Sequence, residues 1–453
     1  MRMPLGMTTM LKKARLKVLL TSLTCLFLVQ INAARAEQAY FAGYAGTLPP
    51  SPEDRAKTYF NRHEVRRLIH TLEQGPISEG QAERSLAGTG TKLADLTRMR
   101  LVALDRGRVS IAFAYFTADD MRLIHEVAAK YVPSLVTEYG SHATELARIL
   151  SHYPLASVSR KRLAFVLLAG VSLNWDGLRL LSDLGYRKPR LVQGPGWRYS
   201  FWASADTPGY SYKGYYWGSS TFPADSINLN PPLDFSFSSF GDPFSDPRMN
   251  FPDLFELQPK DMTPQVRKAA KALGLRNDSV LGNTVSDVIG LDRARGVGAM
   301  LFTMRHGARD AAGICATLPH GEHDDCRGSL SLLVAAGYIR EVGHGSFVLL
   351  VPVFDLQDKA LANAALALSR EAMTVWLNKN YSSIRRDLSS LTALRAGVPY
   401  PALFTQIWHE LFGLTTRELV KRGLIEDPYG PGVAWKGSIP AVWRTAVFGR
   451  PYS

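Results

Sequence analysis

The clearest pattern of hydrophobic and polar positions lies in the stretch Leu330–Phe354. Its first part places aliphatic residues at helical spacing, at Leu330, Leu333 and Val334. Gly337 follows where a helix can end in the left-handed conformation that glycine adopts without steric cost. Two runs of strand-forming residues, Tyr338–Val342 and Phe347–Phe354, are then separated by a Gly-His-Gly turn. The pattern therefore predicts a short helix followed by a β-hairpin.

Parts of this pattern return earlier in the chain at a constant offset. Gly107 and Gly345 are 238 positions apart, and so are Gly185 and Gly423. At the same offset several apolar and capping residues coincide: Phe116 with Phe354, Asp120 with Asp358, Leu173 with Leu411, and Leu181 with Leu419. A duplicated fold keeps its turn glycines and apolar positions, so the offset predicts two related halves. The alternative interpretation is a coincidence of similar amphipathic elements.

The first half is predicted to begin with three helices and a hairpin. The helices are expected at Asn61–Leu72, Ser78–Leu86 and Lys92–Met99, and the strands at Leu101–Leu104 and Val109–Phe116. Thr117 and Asp120 have the spacing of a capping box, which predicts that a further helix begins there. Asp355 and Asp358 repeat that spacing in the second half.

A second unit is predicted in each half. In the first half it consists of helices at Lys161–Ala169 and Leu178–Leu184 and a hairpin into Trp197–Trp202; in the second it holds helices at Ala402–Leu411 and Thr415–Arg422. These predictions together indicate a mostly α-helical protein with small β-hairpins, of the α+β class.

The predicted domain organisation has five parts. Residues 1–36 form a signal peptide and 37–54 a flexible leader. Residues 55–203 form the first half and 258–453 the second. Between them, 204–257 is a connection rich in proline, glycine, serine and aromatic residues, which interrupts all periodicity.

The amino-terminal stretch has the features of a secretory signal. A basic start precedes an apolar run, Val18–Val29, and Ala34-Arg35-Ala36 offers a cleavage site. No other stretch reaches the roughly 18 apolar residues of a membrane helix. Removing residues 1–36 takes away six basic and no acidic residues, so the net charge falls from +13 to +7. We expect a secreted or periplasmic protein, for which nucleic acid is a poor partner and anionic envelope polymers or other proteins are better ones.

The order of helix, turn glycine, hairpin and long helix resembles the winged-helix superfamily, and within it the small bacterial regulators of the MarR and ArsR type. In those families the third helix enters the major groove and basic residues contact phosphate. The matching residues of the first unit, Lys92, Arg98 and Arg100, are basic, whereas Leu330–Ala336 contains no basic residue. With the signal peptide, the resemblance implies a winged fold that serves protein or envelope-polymer contact.

Three cysteines are present, and Cys315 and Cys326 are the two that remain after signal cleavage. In an oxidising compartment two cysteines this close predict a disulfide, which would stabilise the fold by about 2–3 kcal/mol. The loop between them contains His320, His323 and Asp324, whose imidazoles and carboxylate are possible zinc ligands. A solvated polar loop is the alternative, and we assign no metal or other cofactor.

The run Arg305-His306-Gly307-Ala308-Arg309 resembles the motif of secreted histidine acid phosphatases. There the histidine takes the phosphoryl group and the arginines bind its oxygens. The sequence departs from that family because Asp310 replaces a proline and because the motif lies far from the amino terminus. The alternative is the polar end of a helix, so Arg305, His306 and Arg309 are candidate catalytic residues only.

The aromatic connection offers Tyr210, Tyr215 and Trp217 as possible glycan-stacking residues, although packing of a long connection is the alternative. The sequence as a whole predicts a non-enzymatic binding or scaffold protein. The competing class is a phosphoryl-transfer or metal-dependent hydrolase centred on Arg305, His306, His320 and His323.

Overall fold

The computed structural model describes residues 40–47, 49, 51–195, 197–205, 218–222, 234–241, 295–316, 318, 326–335, 337–343, 345–430 and 437–448. About 57% of the described residues are helical and about 18% lie in strands of small sheets, which confirms the α+β class. The predicted signal peptide and most of the aromatic connection lie outside the described residues.

The helices are α1 (Ala56–Phe60), α2 (His63–Leu72), α3 (Glu79–Leu86), α4 (Leu93–Arg98), α5 (Ala118–Ser141), α6 (Ala143–Leu150), α7 (Arg160–Asp183), α8 (residues 295–305), α9 (Ala311–Cys315), α10 (Cys326–Ala335), α11 (Lys359–Asp387), α12 (Thr392–Arg395), α13 (Tyr400–Lys421) and α14 (Thr445–Phe448). The strands are β1 (Tyr40–Thr47), β2 (Ile77–Ser78), β3 (Val102–Asp105), β4 (Arg108–Ile111), β5 (Ala114–Phe116), β6 (Leu191–Gly194), β7 (Trp197–Ala205), β8 (Gly218–Phe222), β9 (Phe235–Gly241), β10 (Ile339–Glu341), β11 (Phe347–Leu349), β12 (Val353–Phe354) and β13 (Ser438–Arg444).

The described residues form two compact units, each assembled from separated parts of the chain. Unit 1 takes its residues from 1–121, 190–208 and 390–402, and unit 2 from 122–189, 209–389 and 403–453. Each predicted half therefore contributes residues to both units.

Unit 1 opens with a motif of three helices and a three-stranded sheet, which we call the first tri-helical motif (α2, β2, α3, α4, β3 and β4). Its sheet has the order β2-β4-β3 with antiparallel pairing. The apolar stripe of α2 is fully buried, at Val65, Leu68, Ile69 and Leu72. Ser78 begins α3 with a capping box that Gln81 completes. The three helices lie within two residues of the predicted ones, because local periodicity and caps specify them.

A second sheet of unit 1 is centred on β7. β1 pairs with β7 antiparallel, β5 pairs with it parallel, and β6 pairs with β7 as well. Gly43 of β1 lies opposite Trp202, and a Cβ at Gly43 would come within 2.5 Å of that indole ring. Glycine at this position therefore leaves room for the Trp202 indole.

Unit 2 contains the second tri-helical motif (α8, α9, α10, β10 and β11), a sheet and several long helices. The sheet has the order β12-β13-β9-β8, with β12 parallel to β13 and the other pairs antiparallel. In the second tri-helical motif an isolated bridge joins Asp310 to Ser346. Asp310 also begins α9, since its side chain accepts a hydrogen bond from the Gly313 N–H.

Helix α7 corrects the prediction of two helices at Lys161–Ala169 and Leu178–Leu184. The chain stays helical throughout, with π-type hydrogen bonding over Phe165–Asp176. Gly170 and Gly177 do not end the helix, because each makes room for an aromatic ring. A Cβ at Gly170 would lie 2.4 Å from the Phe240 ring, and one at Gly177 would lie 2.7 Å from the Trp408 indole.

Among the described residues, α7 is the one helix that is long and apolar enough to cross a membrane. Of its most apolar window, 89% is buried inside the protein, which is the pattern of a core helix. Trp408 adds a specific polar contact, since its indole N–H donates to the Leu173 carbonyl at 2.7 Å.

Both predicted capping boxes are present. In unit 1 the Thr117 N–H donates to Asp120 at 2.9 Å, and the Asp120 N–H donates to the Thr117 hydroxyl at 3.2 Å. In unit 2 the Asp355 N–H donates to Asp358 at 2.9 Å, where a single 3-10 turn leads into α11. The two boxes fix the starts of α5 and α11.

Candidate functional site

The Arg-His-Gly-x-Arg run lies in unit 2, at the carboxyl end of α8. The helix ends at Arg305, and Gly307 adopts a φ of +117°, which turns the chain away from the helix axis. The Arg305 and His306 side chains then meet the Asp355 and Asp358 carboxylates of the second capping box. Two acidic residues about 50 positions downstream therefore determine the surroundings of the motif.

Arg305 is buried and fully engaged. Its Nη2 donates to both carboxylate oxygens of Asp358, at 2.7 and 2.9 Å, and its Nε donates to the Val353 carbonyl at 3.1 Å. The guanidinium also lies 5.4 Å from the centre of the Tyr153 ring. Only 6% of Arg305 is exposed. A phosphate group would have to displace Asp358 to reach this guanidinium.

His306 is the accessible member of the run, with 55% of its side chain exposed. Its Nε2 lies 2.7 Å from Asp355 Oδ2, so the imidazole N–H donates to the carboxylate. Burial raises the pKa of Asp355, but hydrogen bonds from the Leu356 N–H and from His306, with the charge of Arg444, outweigh it and hold the pKa below its usual range. The carboxylate is therefore ionised and orients the imidazole, as a histidine that acts as a base requires.

A small pocket adjoins this pair. It has a volume of about 450 Å³ and is lined by Phe302, Thr303, His306 and Arg444, among others. The Arg444 guanidinium stacks 4.0 Å above the Phe302 ring, donates to Asp234 at 2.5 Å, and lies 3.5 Å from Asp355. The pocket thus combines an imidazole with a guanidinium that two carboxylates already neutralise.

Arg309 does not point to the same place. Its Nη1 donates to the Met304 carbonyl at 2.8 Å and so caps the carboxyl end of α8. Of the three candidate catalytic residues, only His306 lines the pocket. The structure does not bring the two arginines together with His306 as a phosphoryl site requires.

Of the other predicted sites, the disulfide pair lies within the described residues, and the candidate zinc ligands and aromatic binding residues do not. Cys315 and Cys326 lie at disulfide distance, with Cα atoms 5.9 Å apart, which confirms the predicted pair. His320, His323 and Asp324 lie outside the described residues, and so do Tyr210, Tyr215 and Trp217. Among the residues that are described, no group of three or more His, Cys, Asp or Glu side chains has the arrangement of a metal site.

The basic residues that the winged-helix resemblance marks for phosphate contact are in unit 1. Arg98 of α4 forms an ion pair with Asp54 at 2.7 Å, and its Nη2 lies 3.9 Å from Asp95. The hydrogen bond to Asp54 raises the pKa of Arg98. Arg100 follows the end of α4 in the left-handed region, with a φ of +57°. The charge of Arg98 is therefore compensated locally, which weakens the attraction of this surface for a phosphate backbone.

Unit 1 also carries a groove that sequence reasoning missed. It lies between α3, α4 and β3 and has a volume of about 680 Å³. Its apolar lining includes Leu86, Leu93 and Leu104, and Leu104 is 41% exposed. Its polar rim includes Glu79, Glu83 and Lys92. A groove lined by three leucines, two carboxylates and one ammonium group can receive an apolar segment that carries a basic residue.

A sequence signal for this groove existed in the aliphatic Leu104 directly before a hairpin turn, but Leu104 shares the strand face of the buried Val102 and so has the pattern of a core position. The sequence contained no comparable signal that Arg305 and His306 would be surrounded by Asp355, Asp358 and Arg444. They are distant in the chain, and only the fold brings them together.

No protein-family model, curated protein sequence or solved structure matches this chain.

Proposed function

We propose that this chain is a secreted or periplasmic binding protein that holds a segment of a partner protein in the groove between α3, α4 and β3. The observation that carries the proposal is the exposure of Leu104 within a groove whose rim contains Glu79 and Glu83. The proposed partner segment is extended or helical, with aliphatic side chains for the groove and lysine or arginine opposite the rim. Anionic envelope polymers fit less well because the two glutamates repel them.

The groove belongs to a motif that we assign to the winged-helix superfamily. The order α2, β2, α3, α4, β3, β4 and the antiparallel sheet β2-β4-β3 support this assignment. Contact with protein is favoured over contact with DNA because Arg98 is paired with Asp54, and because the predicted signal peptide directs the chain out of the cytoplasm.

We also propose that the two tri-helical motifs arose by duplication. Ser78 pairs with Arg108 in unit 1, and Asp310 pairs with Ser346 in unit 2. Positions 108 and 346 differ by the same 238 residues as the turn glycines, and Ser78 and Asp310 each cap the helix that follows. Gly107 and Gly345 both have a φ of +72°. The turn glycines and the paired positions 108 and 346 share the offset of 238, whereas the caps Ser78 and Asp310 are 232 positions apart. The shared pairing, caps and turns support common ancestry over coincidence.

The proposed function is non-enzymatic and requires no cofactor. A selection of displayed random peptides on the purified protein without residues 1–36 tests it. We expect enriched peptides to contain aliphatic and basic residues. Their affinity should fall at least tenfold, or about 1.4 kcal/mol, in Leu104→Glu, because a charge then occupies the apolar contact.

Val375→Glu is the matched control, since Val375 is also exposed, at 49%, but lies on α11. Peptides that bind Leu104→Glu as tightly as the unaltered protein would place the binding surface elsewhere. A selection that enriches no peptide would contradict the proposal altogether.

One observation favours hydrolysis as a second candidate function, namely the His306–Asp355 pair beside its pocket. Turnover of a generic aryl phosphate that His306→Ala abolishes would support it, and so would stoichiometric zinc in the purified protein. We expect no such turnover, because Asp358 and the Met304 carbonyl already accept hydrogen bonds from the guanidinium groups of Arg305 and Arg309.

A further inference from the structure

Strand β1 forms an edge of the second sheet of unit 1. Its eight residues pair with β7 from Tyr40 opposite Ala205 to Thr47 opposite Arg198. Along Phe41–Thr47, no strand of the described part of the chain pairs with the other edge of β1. Alternate N–H and C=O groups of this stretch therefore point away from β7, toward a side that no described strand occupies, which we call the open side.

Sheet edges are usually protected against pairing with another chain. Common protections are a short strand, a charged side chain or a proline. β1 has the sequence YFAGYAGT, which contains no charged residue and no proline. At about 3.3 Å per residue its eight residues extend for about 26 Å. The strand thus has none of these three protections.

In unit 2 the strand that corresponds to β1 in its pairing is β9, and its outer edge is covered. There β9 pairs antiparallel with β13, and β13 pairs parallel with β12, as β1 and β5 do with β7. The other edge of β9 is covered by the antiparallel strand β8. β8 has only five residues, so this sheet ends in a short strand. A sheet of this arrangement therefore accepts one more antiparallel strand at the position beside β1.

β1 is held firmly in place for such pairing. The Tyr40 ring packs edge-on against Phe60 at 5.5 Å, and the Tyr44 ring packs edge-on against Tyr199 at 5.1 Å. The Tyr44 hydroxyl also accepts a hydrogen bond from the Lys57 N–H at 3.0 Å. Because the strand is already ordered, pairing at its open edge costs little additional conformational entropy.

We propose that β1 pairs antiparallel with β1 of a second copy, so that two copies share one continuous sheet across a two-fold axis. A two-fold pairing places the strand opposite itself, and like charges facing each other would oppose it. β1 carries no charge, and the outward N–H and C=O groups of Phe41–Thr47 satisfy those of the same stretch in the second copy. A single strand pair buries less area than a standard protein interface, so the dimer is a weak one.

This inference does not rest on the proposed function, because the groove belongs to the other sheet of unit 1. If both hold, the dimer presents two grooves and raises the apparent affinity for a partner with two binding segments.

Two proline variants of the full protein without its signal peptide provide the test. N–H groups of consecutive strand residues point to opposite edges, so Ala45→Pro and Gly46→Pro remove one N–H that faces β7 and one that faces the open side. We expect analytical ultracentrifugation of the unaltered protein to show a dimer that dissociates on dilution. One proline variant should keep its melting temperature and be monomeric, and the other should be destabilised.

If both proline variants fail to fold, amide hydrogen exchange of the unaltered protein provides a second test. The outward amides of residues 41–47 in the unaltered protein should exchange more slowly as its concentration rises. A protein that stays monomeric at the highest soluble concentration would overturn the proposal. Dimerisation without concentration-dependent protection of β1, or dimerisation that survives both proline variants, would overturn it as well.

Discussion

The two capping boxes place equivalent carboxylates in different electrostatic surroundings. Asp120 in unit 1 accepts hydrogen bonds from Thr117 and from the Thr392 N–H at 2.9 Å, all neutral donors. Burial raises the pKa of Asp120, although these hydrogen bonds oppose the rise. Asp358 in unit 2 instead receives the charged guanidinium of Arg305. One local sequence signal therefore specifies the same backbone turn twice, while distant partners determine how each charge is stabilised.

The largest difference between the units should come from removing these carboxylates. Asp358→Asn leaves the Arg305 charge buried without its counter-ion, and we expect a loss of about 3–5 kcal/mol in the free energy of unfolding. Asp120→Asn removes one accepted hydrogen bond and no ion pair, and should cost only about 1–3 kcal/mol. Denaturant unfolding of both variants measures the difference.

The double variant Arg305→Met with Asp358→Asn is the control, because it removes the buried charge together with its partner. It should recover part of the stability that Asp358→Asn loses. Equal losses in the two single variants would show that Arg305 is not stabilised by Asp358 in the way the distances indicate.

The second difference between the two tri-helical motifs is the disulfide bond. Cys315 and Cys326 join α9 to α10 in unit 2, whereas residues 61–111 of unit 1 contain no cysteine. Reduction should lower the stability of unit 2 by about 2–3 kcal/mol, because the unfolded chain gains freedom. Hydrogen exchange with and without dithiothreitol checks this, and exchange of α2–α4 should stay unchanged. Faster exchange in both motifs would contradict a local effect.

A smaller contrast concerns pH. Burial lowers the pKa of His409 in unit 2 to about 4 from its ordinary 6.5. The folded state then binds fewer protons than the unfolded state between these values, so unit 2 should lose stability as the pH falls from 6.5 to 4. The raised pKa of Asp120 acts in the opposite sense, since its contribution is present at low pH and is lost as the pH rises through the folded pKa.

Denaturant unfolding at a series of pH values between 7 and 4 measures the His409 contribution. In His409→Gln the loss of stability over this range should be smaller than in the unaltered protein. The same slope in both proteins would mean that another group causes the pH dependence.

The sequence alone was sufficient where the signal was local. Ser78, Thr117 and Asp355 marked helix starts correctly, because a cap involves residues three positions apart. It failed between Ala169 and Leu178, where it predicted a break between two helices; Gly170 and Gly177 lie in the continuous helix there and make room for the Phe240 and Trp408 rings. The local sequence cannot predict a contact between a helix glycine and an aromatic ring, since the contact forms only when elements distant in the chain pack together.

The same limit applies to the candidate site. The sequence from Arg305 to Arg309 resembles a phosphoryl-transfer motif. In the structure, however, Asp358 and the Met304 carbonyl accept hydrogen bonds from its two guanidinium groups. The groove beside Leu104 was missed because the three elements that form it are separate in the chain. Val342, which lies 238 positions after Leu104, is likewise an exposed aliphatic residue, at 49%.

The most direct test of the proposed function is amide hydrogen exchange on the protein without its signal peptide, measured with and without a peptide that the selection enriches. We expect slower exchange on α3, α4 and β3 when the peptide is present, and no change in residues 295–309 around His306. Protection around His306 with an unchanged groove would contradict it, and would make the histidine pocket the binding site instead.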